Sequence, residues 1–278
     1  MKFSILIANY NNGRFFKTCY DSIVKQTYNN WEAIILDDKS TDNSLEIIKD
    51  LIKDDNRFKL YEHPKNEGVG VIKSKLIELA TGDICGFVDP DDAIKKTALA
   101  TAINEFQKNS GTVLTYSRFI KCDEFLNEVE VSKSAKQVVN DDPFFFNCPI
   151  KINHFVCFRR DVYLRTEKMN SKLKISEDQD LYLKMYEKGN VKFIDEPNYL
   201  YRAHAGGISQ NENKKKSYEY WGEAIWLAMK RRGLKTINGN AIPETYHNSE
   251  EIFKLLSYQN SLPYRIKQKI RLFFQKIF

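Results

Sequence analysis

No G-x-x-x-x-G-K-[ST] loop occurs in this 278-residue chain, which excludes a P-loop nucleotide hydrolase. Glycine is sparse, at 12 residues, and the turn Asn9-Tyr10-Asn11-Asn12-Gly13 after the first apolar run holds one. Gly68-Val69-Gly70 lacks a third glycine, so the dinucleotide fingerprint is missing as well. No apolar run approaches the roughly 20 residues of a membrane span. The Phe3-to-Ala8 run is too short for a signal-peptide core, and no cleavage pattern follows it. The five cysteines (Cys19, Cys85, Cys122, Cys148, Cys157) are odd in number and form no CxxC pair. That indicates neither a zinc site nor a disulfide frame and fits reduced, mostly buried thiols in the cytosol.

What is present describes a globular protein: 42% hydrophobic and 13% aromatic residues, enough for one sizeable core or a domain with an appendage. The net charge of +6 is unevenly spread. Residues 214–278 carry 13 Lys/Arg against 5 Asp/Glu, a net of +8, which leaves −2 for residues 1–213. A basic tail on a slightly acidic body implies a partner of its own, nucleic acid or anionic lipid.

Strand and helix patterns alternate over the first hundred residues. Strands are expected at Phe3–Ala8, Trp31–Leu36, Arg57–Tyr61 and Ile84–Val88, with helices at Arg14–Gln26, Asp42 to about Asp54, and Val69–Ala80. Ser40 or Thr41 is expected to cap the second helix. Such alternation predicts right-handed crossovers and a mostly parallel sheet. Beyond Ile94 follow a helix to about Asn109, strands at Thr112–Ser117, Glu128–Val131 and Phe155–Phe158, a helix Leu181–Glu187, and separate runs Val191–Ile194 and Tyr199–Arg202. The main domain is expected to span 1–210. Residues 211–278 read as a helical region: Tyr218–Arg232, Glu250–Leu256 and Leu262–Phe278.

The richest chemistry sits at the tip of the fourth strand, Asp89-Pro90-Asp91-Asp92. Three carboxylates there repel one another unless a cation, a sugar hydroxyl or solvent offsets the charge. Ligands of open α/β sheets bind at that edge, and Asp-x-Asp can hold Mg²⁺ or Mn²⁺ while leaving positions for a diphosphate. Asn9-Tyr10-Asn11, Asp37-Asp38 and Asn66-Glu67-Gly68 fall at equivalent edge positions. Singly each reads as a cap or turn; together they suit a nucleotide.

These runs, with Asp37-Asp38-Lys39-Ser40-Thr41-Asp42, Glu177-Asp178-Gln179-Asp180-Leu181 and Tyr201-Arg202-Ala203-His204, resemble the family 2 glycosyltransferases over residues 3 to about 209. The resemblance implies a GT-A fold, inversion, and a nucleotide-sugar donor of the UDP type. It implies that Tyr10 lies against uracil, with Ala8, Asn11, Asn66, Gly68 and Pro90 nearby, and that Asp38 binds the imide. Asp89 would hold ribose, Asp91 the metal (Mn²⁺ or Mg²⁺), and Asp92 would orient that ligand or meet the donor sugar. Lys73 stands where the family usually has arginine; it keeps the charge for nucleotide or phosphate and loses the bidentate fork, and a solvated helix lysine is the other reading.

Asp178 would be the general base, supported by Glu177 and Asp180, since neighbouring carboxylates raise a pKa. His204 would be a metal ligand with Asp91, the alternatives being a diphosphate contact or a plain surface histidine, and Gly206-Gly207-Ile208-Ser209 would form a flap over the diphosphate. His154 is expected to be structural. A departure lies at Arg165-Thr166-Glu167-Lys168-Met169-Asn170, where the family has a Gly-Gly-Phe-type turn, so the acceptor side is not carried over.

The rivals are a metal-dependent nucleotidyltransferase, disfavoured because Arg14 is the single basic residue near the first turn, a glycoside hydrolase, which has no use for a uridine site, and a nucleic-acid-binding protein, disfavoured because the main domain lacks a basic, aromatic-interleaved surface. On Leu262–Phe278, Ile266, Ile270, Phe273, Phe274 and Ile277 form an apolar stripe flanked by Arg265, Lys267, Lys269, Arg271 and Lys276, without one acid. That predicts an interfacial helix and a peripheral place on an anionic cytoplasmic membrane face, where a saccharide or lipid-linked glycan acceptor for surface polysaccharide would be met; the alternative is a helix docked on the main domain with a solvated basic rim.

Overall fold

In the computed structural model, which describes residues 1–204 and 213–277, the β/α alternation expected from the sequence is realised. The first part runs β1 (Phe3–Asn9), α1 (Gly13–Val24), β2 (Trp31–Asp37), α2 (Ser44–Ile52), β3 (Phe58–Glu62), α3 (Val69–Leu79) and β4 (Ile84–Phe87). It continues through β5 (Ala93–Ile94), α4 (Ala98–Lys108), β6 (Thr112–Cys122), β7 (Glu128–Val131), β8 (Cys157–Arg159), α5 (Arg160–Leu164), α6 (Glu177–Tyr186) and β9 (Asn190–Arg202). Then follow α7 (Asn213–Arg231), a small hairpin of β10 (Thr236–Ile237) and β11 (Asn240–Ala241), α8 (Ser249–Leu256) and α9 (Leu262–Ile277). The expected flap at 206–209 and Phe278 lie outside the described residues.

The main sheet runs β3-β2-β1-β4-β8-β6-β9-β5, with β7 on β6. β1 pairs in parallel with β2 and β4, β2 with β3, and β6 with β9. β8 is antiparallel to both its neighbours, so the sheet is mixed at its centre. The period-2 pattern of β1 and β2 builds two cores. Phe3, Ile5 and Ile7 with Trp31, Ala33 and Ile35 face the layer that includes α1, α2 and α4. Leu6, Ile34 and Leu36 face α3, α6, α7 and α8, through Ile72, Leu181, Ile225 and Ile252 among others. The helices α7 and α8 therefore share the sheet's own core.

Three sequence expectations change. The helix expected from Asp42 starts at Ser44, and neither Ser40 nor Thr41 caps it. Their groups are used at the sheet edge instead: the Ser40 hydroxyl donates to Asp37 at 2.5 Å, and the Thr41 N–H donates to Asn11 Oδ1 at 2.8 Å. The runs at 191–194 and 199–202 are one strand, because register shifts around Arg118 absorb Pro197, which cannot donate to a ladder. The helix expected at Leu181 begins at Glu177, which puts Glu177, Asp178 and Asp180 inside its first turn. There the helix dipole favours them. No helix among the described residues is long and apolar enough to cross a membrane.

Candidate active site

The edge at the C-terminal ends of β1 and β2 is fixed by buried polar bonds. Asp37 is fully buried and accepts from Asn9 Nδ2 at 2.7 Å and from the Ser40 N–H at 2.8 Å. It supports the edge from beneath, out of reach of a ligand. Asp38 is 4% exposed, and its two carboxylate oxygens accept from the Glu67 and Gly68 N–H groups, each at 2.8 Å. Asn66 Nδ2 donates to the Asp38 carbonyl at 3.1 Å. Asp38, Asn66 and Gly68 are thus one ledge, with Gly68 at φ 87, which favours glycine. A carboxylate with two bonds retains acceptor capacity for an imide N–H. Tyr10, directly after β1, is 44% exposed, and Ala8 pairs with Leu36 one residue before β1 ends.

At the tip of β4 the three aspartates diverge. Asp92 is buried and accepts from the Arg202 N–H at 2.7 Å; burial and the charges of Asp89 and Asp91 push its pKa well up. That makes it an anchor of β9, and a direct contact with a donor sugar is inconsistent with its 2% exposure. Asp91 and His204 meet, Nε2 to Oδ2 at 2.7 Å, and burial followed by Asp89 raises the Asp91 pKa. Asp89 is half-buried, with its N–H donating to the Tyr199 hydroxyl at 3.1 Å, and Pro90 is buried between them.

Arg202 ties this corner together. Its guanidinium donates to the Asp91 carbonyl at 2.5 Å, the Glu124 carbonyl at 2.6 Å and Thr18 Oγ1 at 2.7 Å, and lies 4.7 Å from the Phe15 ring centre. Phe15 also packs on His204, centroids 4.7 Å apart. The Tyr201-Arg202-Ala203-His204 run carried this hub in plain sight; Tyr199 and Phe15 gave no sequence signal beyond their strand and helix patterns.

The second acidic group approaches from α6. Gly70 makes the approach possible: a Cβ there would come within 3.0 Å of the Leu173 carbonyl and 3.5 Å of Glu177 Cβ. Lys73, one turn on, places its ammonium 2.9 Å from Glu177 Oε1, with exposures of 14% and 5%. Lys73 is therefore neither a solvated lysine nor an unengaged phosphate ligand; it is held by Glu177, and its pKa is raised by Glu177, Asp89 and Asp178 against burial. Ser176, in the left-handed region at φ 62, turns the chain into α6 immediately before the pair.

Asp178 is half-buried, accepts from the Gln179 N–H at 2.9 Å, and is hydrogen-bonded to the Tyr182 hydroxyl. Burial first, then the Glu177 charge, pushes its pKa up to about 6, against the lowering effect of Lys73. His154 joins the same space. It stacks on Tyr199 with centroids 4.8 Å apart, feels Asp89 and Lys73, and is held neutral by burial, its pKa pushed down to about 4. A carboxylate poised near neutrality therefore lies in the electrostatic reach of Asp89, Lys73 and Glu177.

Asp180 does not belong to this group. Its carboxylate is buried against Lys184 at 2.7 Å and the Asn170 N–H at 3.1 Å, with Arg231 at 3.9 Å, so it secures α6 to its surroundings. Lys184→Met should cost about 3–5 kcal/mol of stability by leaving that charge buried without its close partner. Urea unfolding measures it; a loss under about 1 kcal/mol would mean the pair is dispensable.

Can these residues hold a metal? The Asp91 oxygen and the His204 imidazole are suitable donors for Mn²⁺ or Mg²⁺, carboxylate for either and imidazole better for Mn²⁺. Among the described residues no group of three or more His, Cys, Asp and Glu converges. The set fits a cation whose other positions are filled by diphosphate and water, not a closed protein cage. A cavity of about 710 Å³ exists elsewhere, between β6, β9 and α9 by Asn109, Gln137, Asn190 and Arg271, and shares no residue with this cluster.

The family model described as Glycosyl transferase family 2 matches residues 4–165. Glycosyltransferase GlyG of Streptococcus pneumoniae is 25% identical over 75% of this chain and 73% of its own. The hyaluronan synthase of Pasteurella multocida is 26% identical over 93% of this chain, which spans only 26% of that protein. Among solved structures, S. aureus TarS 1-349 in complex with UDP-GlcNAc is similar with TM-score 0.70 and 21% identity, over 92% of this chain and 70% of TarS 1-349. The mannosyltransferase PcManGT of Pyrobaculum calidifontis, with GDP-Man and Mn²⁺, is similar at TM-score 0.59 and 13% identity, over 98% of this chain and 84% of its own. These similarities carry the GT-A fold.

Proposed function

We propose that this chain, which belongs to glycosyl transferase family 2 and is a glycosyltransferase, moves one sugar from a UDP-sugar to a hydroxyl of a saccharide or lipid-linked glycan, with inversion, in surface polysaccharide synthesis. The observation that carries the mechanism is Asp178: a half-buried carboxylate with a pKa of about 6, in electrostatic contact with the Asp89 tip. Uridine would rest on Tyr10, its imide on Asp38 and the Asn66–Gly68 ledge. Asp89 would take the ribose hydroxyls. Support for a uridine donor comes from the TarS neighbour, whose complexes hold UDP and UDP-GlcNAc. The GDP-Man complex of PcManGT keeps the base open to test.

Asp91 and His204 would hold Mn²⁺ or Mg²⁺, which when bound neutralises the departing diphosphate as a Lewis acid. Arg202 and Asp92 position that pair, Arg202 by gripping the Asp91 carbonyl and Asp92 by fixing the end of β9. Glu177 and Lys73 position Asp178. Asp178 then accepts the acceptor's hydroxyl proton as the oxygen attacks the anomeric carbon from the face opposite the leaving group. Much of the rate comes from holding the two in line. The chemistry is assigned to residues 1–210. Residues 211–278 complete the core through α7 and α8 and bring the enzyme to an anionic membrane surface at the cytoplasmic face through 262–278.

The pH profile tests the base. A protonated Asp178 cannot accept a proton, so activity is present above the folded pKa and lost below it. kcat/KM should fall about tenfold per unit as pH drops below about 6. A profile flat from pH 5 to 8 would remove Asp178 from the role. A nucleotidyltransferase is disfavoured by the sequence, where Arg14 is the single basic residue near the β1 turn.

A further inference from the structure

The helix α9 is fastened to the protein by one face and presents the opposite one bare. Gln268 Nε2 and Arg271 each reach Asp142 Oδ2 at 2.8 Å, and Gln275 Oε1 accepts from the Asn140 N–H at 2.9 Å. Tyr264 packs edge-on against Tyr258, centroids 5.2 Å apart. At 100° per residue these four positions fall on one side of the helix. Asp142 is 4% exposed, and its other oxygen accepts from the Phe144 N–H, so the fastening is polar and buried.

On the far side, Leu262, Ile266, Ile270 and Phe273 stand 67%, 48%, 52% and 63% exposed, and Phe274, 53% exposed, flanks them at the mouth of the cavity between α9 and the sheet. A soluble surface helix normally turns such a stripe inward. Here it is turned outward by the docking itself. Arg265 and Lys269 border the stripe on one side and Lys267 on the other, all exposed. The helix contains no acidic residue. The side chains of Lys276 and Ile277 lie outside the described residues.

We propose that α9 binds an anionic lipid bilayer as the rigid, docked helix it already is, laying its apolar stripe among the acyl chains while Arg265, Lys267 and Lys269 reach the headgroups. Charge complementarity selects this occupant. An apolar partner protein or a second copy would leave three cations unanswered at the rim, and a second copy would set like charges against each other. Nucleic acid would use the cations and leave the apolar stripe in water. Docking removes the ordering cost that a free amphipathic segment meets on folding at a surface. The sequence set docked and interfacial helices as alternatives; the structure makes them two faces of one element. The inference does not depend on the sugar-transfer reading.

The experiment is flotation of the full chain with phosphatidylglycerol/phosphatidylcholine vesicles at low salt, beside vesicles of phosphatidylcholine alone. Binding to the anionic vesicles alone is expected. Ile270→Asp and Phe273→Asp should each weaken it about 10-fold or more, and Lys267→Glu about fivefold or more. UDP affinity by calorimetry and the far-UV circular dichroism should stay as in the parent chain. Absence of flotation would overturn the proposal, as would flotation indifferent to the aspartates. Self-association of the parent chain that Phe273→Asp abolishes would assign the stripe to a second copy. Oligonucleotide binding that survives Phe273→Asp while flotation is absent would assign the cations to nucleic acid. Vesicle binding without UDP affinity would instead overturn the sugar-transfer reading and leave this one standing.

Discussion

Asp178→Asn should lower turnover about 10²–10⁴-fold, which is about 3–5 kcal/mol of transition-state stabilisation, with donor affinity nearly unchanged. The amide keeps the size of the carboxylate and its acceptor oxygen for the Gln179 N–H. It also removes a charge that Glu177 and burial both disfavour, so the folded state gains from the exchange. What it cannot do is accept a proton. The loss should therefore fall on kcat, and the acidic limb of the pH profile should disappear with it. Steady-state kinetics paired with UDP calorimetry separates the cases. A variant with parental kcat, or one whose defect lies wholly in donor binding, would place the base elsewhere.

Asp91→Ala should abolish metal-dependent transfer, with a loss on the order of 10³-fold or more. Asp91 carries one of two side chains suited to the cation, and His204 alone is a weak site for Mg²⁺ or Mn²⁺. The fold should survive, because the bonds that Arg202 makes at this corner use the Asp91 carbonyl, the Glu124 carbonyl and Thr18, none of which the substitution removes. A readout independent of turnover is the strengthening of UDP binding by Mn²⁺, which should be present in the parent and absent in the variant. In the parent, excess EDTA should silence the enzyme and Mn²⁺ or Mg²⁺ restore it. Full activity in EDTA would remove the metal from the mechanism.

Much of this site was legible because it stands on local patterns. The apolar runs of β1, β2 and β4 each end in a polar cluster, and parallel pairing brings those ends to one edge. The Asp89 tip and the Asp38 ledge follow from that alone, whereas His204 reaches Asp91 from the end of β9. What escaped depends on distant partners. Asp180 differs from Asp178 only by a half-turn of α6, and the sequence carries no sign that Lys184 and the Asn170 amide wait on that side. Lys73 could be called a phosphate contact or a solvated residue; its partnership with Glu177 needs the close pass of α6 over Gly70. His154 was expected to be structural, but its packing was hidden because its ring neighbours, Tyr199 and Tyr201, come from β9, whose continuity Pro197 conceals. The apolar stripe of α9 was visible, whereas the polar clamp on Asp142 that turns it outward was not.

The most direct test of the whole account is nucleotide release from a panel of UDP- and GDP-sugars, with and without Mn²⁺, in the presence of saccharide acceptors. The account predicts metal-stimulated UDP release from at least one UDP-sugar, reduced about 10²-fold or more by Asp178→Asn. Release of GDP alone, or turnover of a UDP-sugar that Asp178→Asn leaves intact, would contradict it.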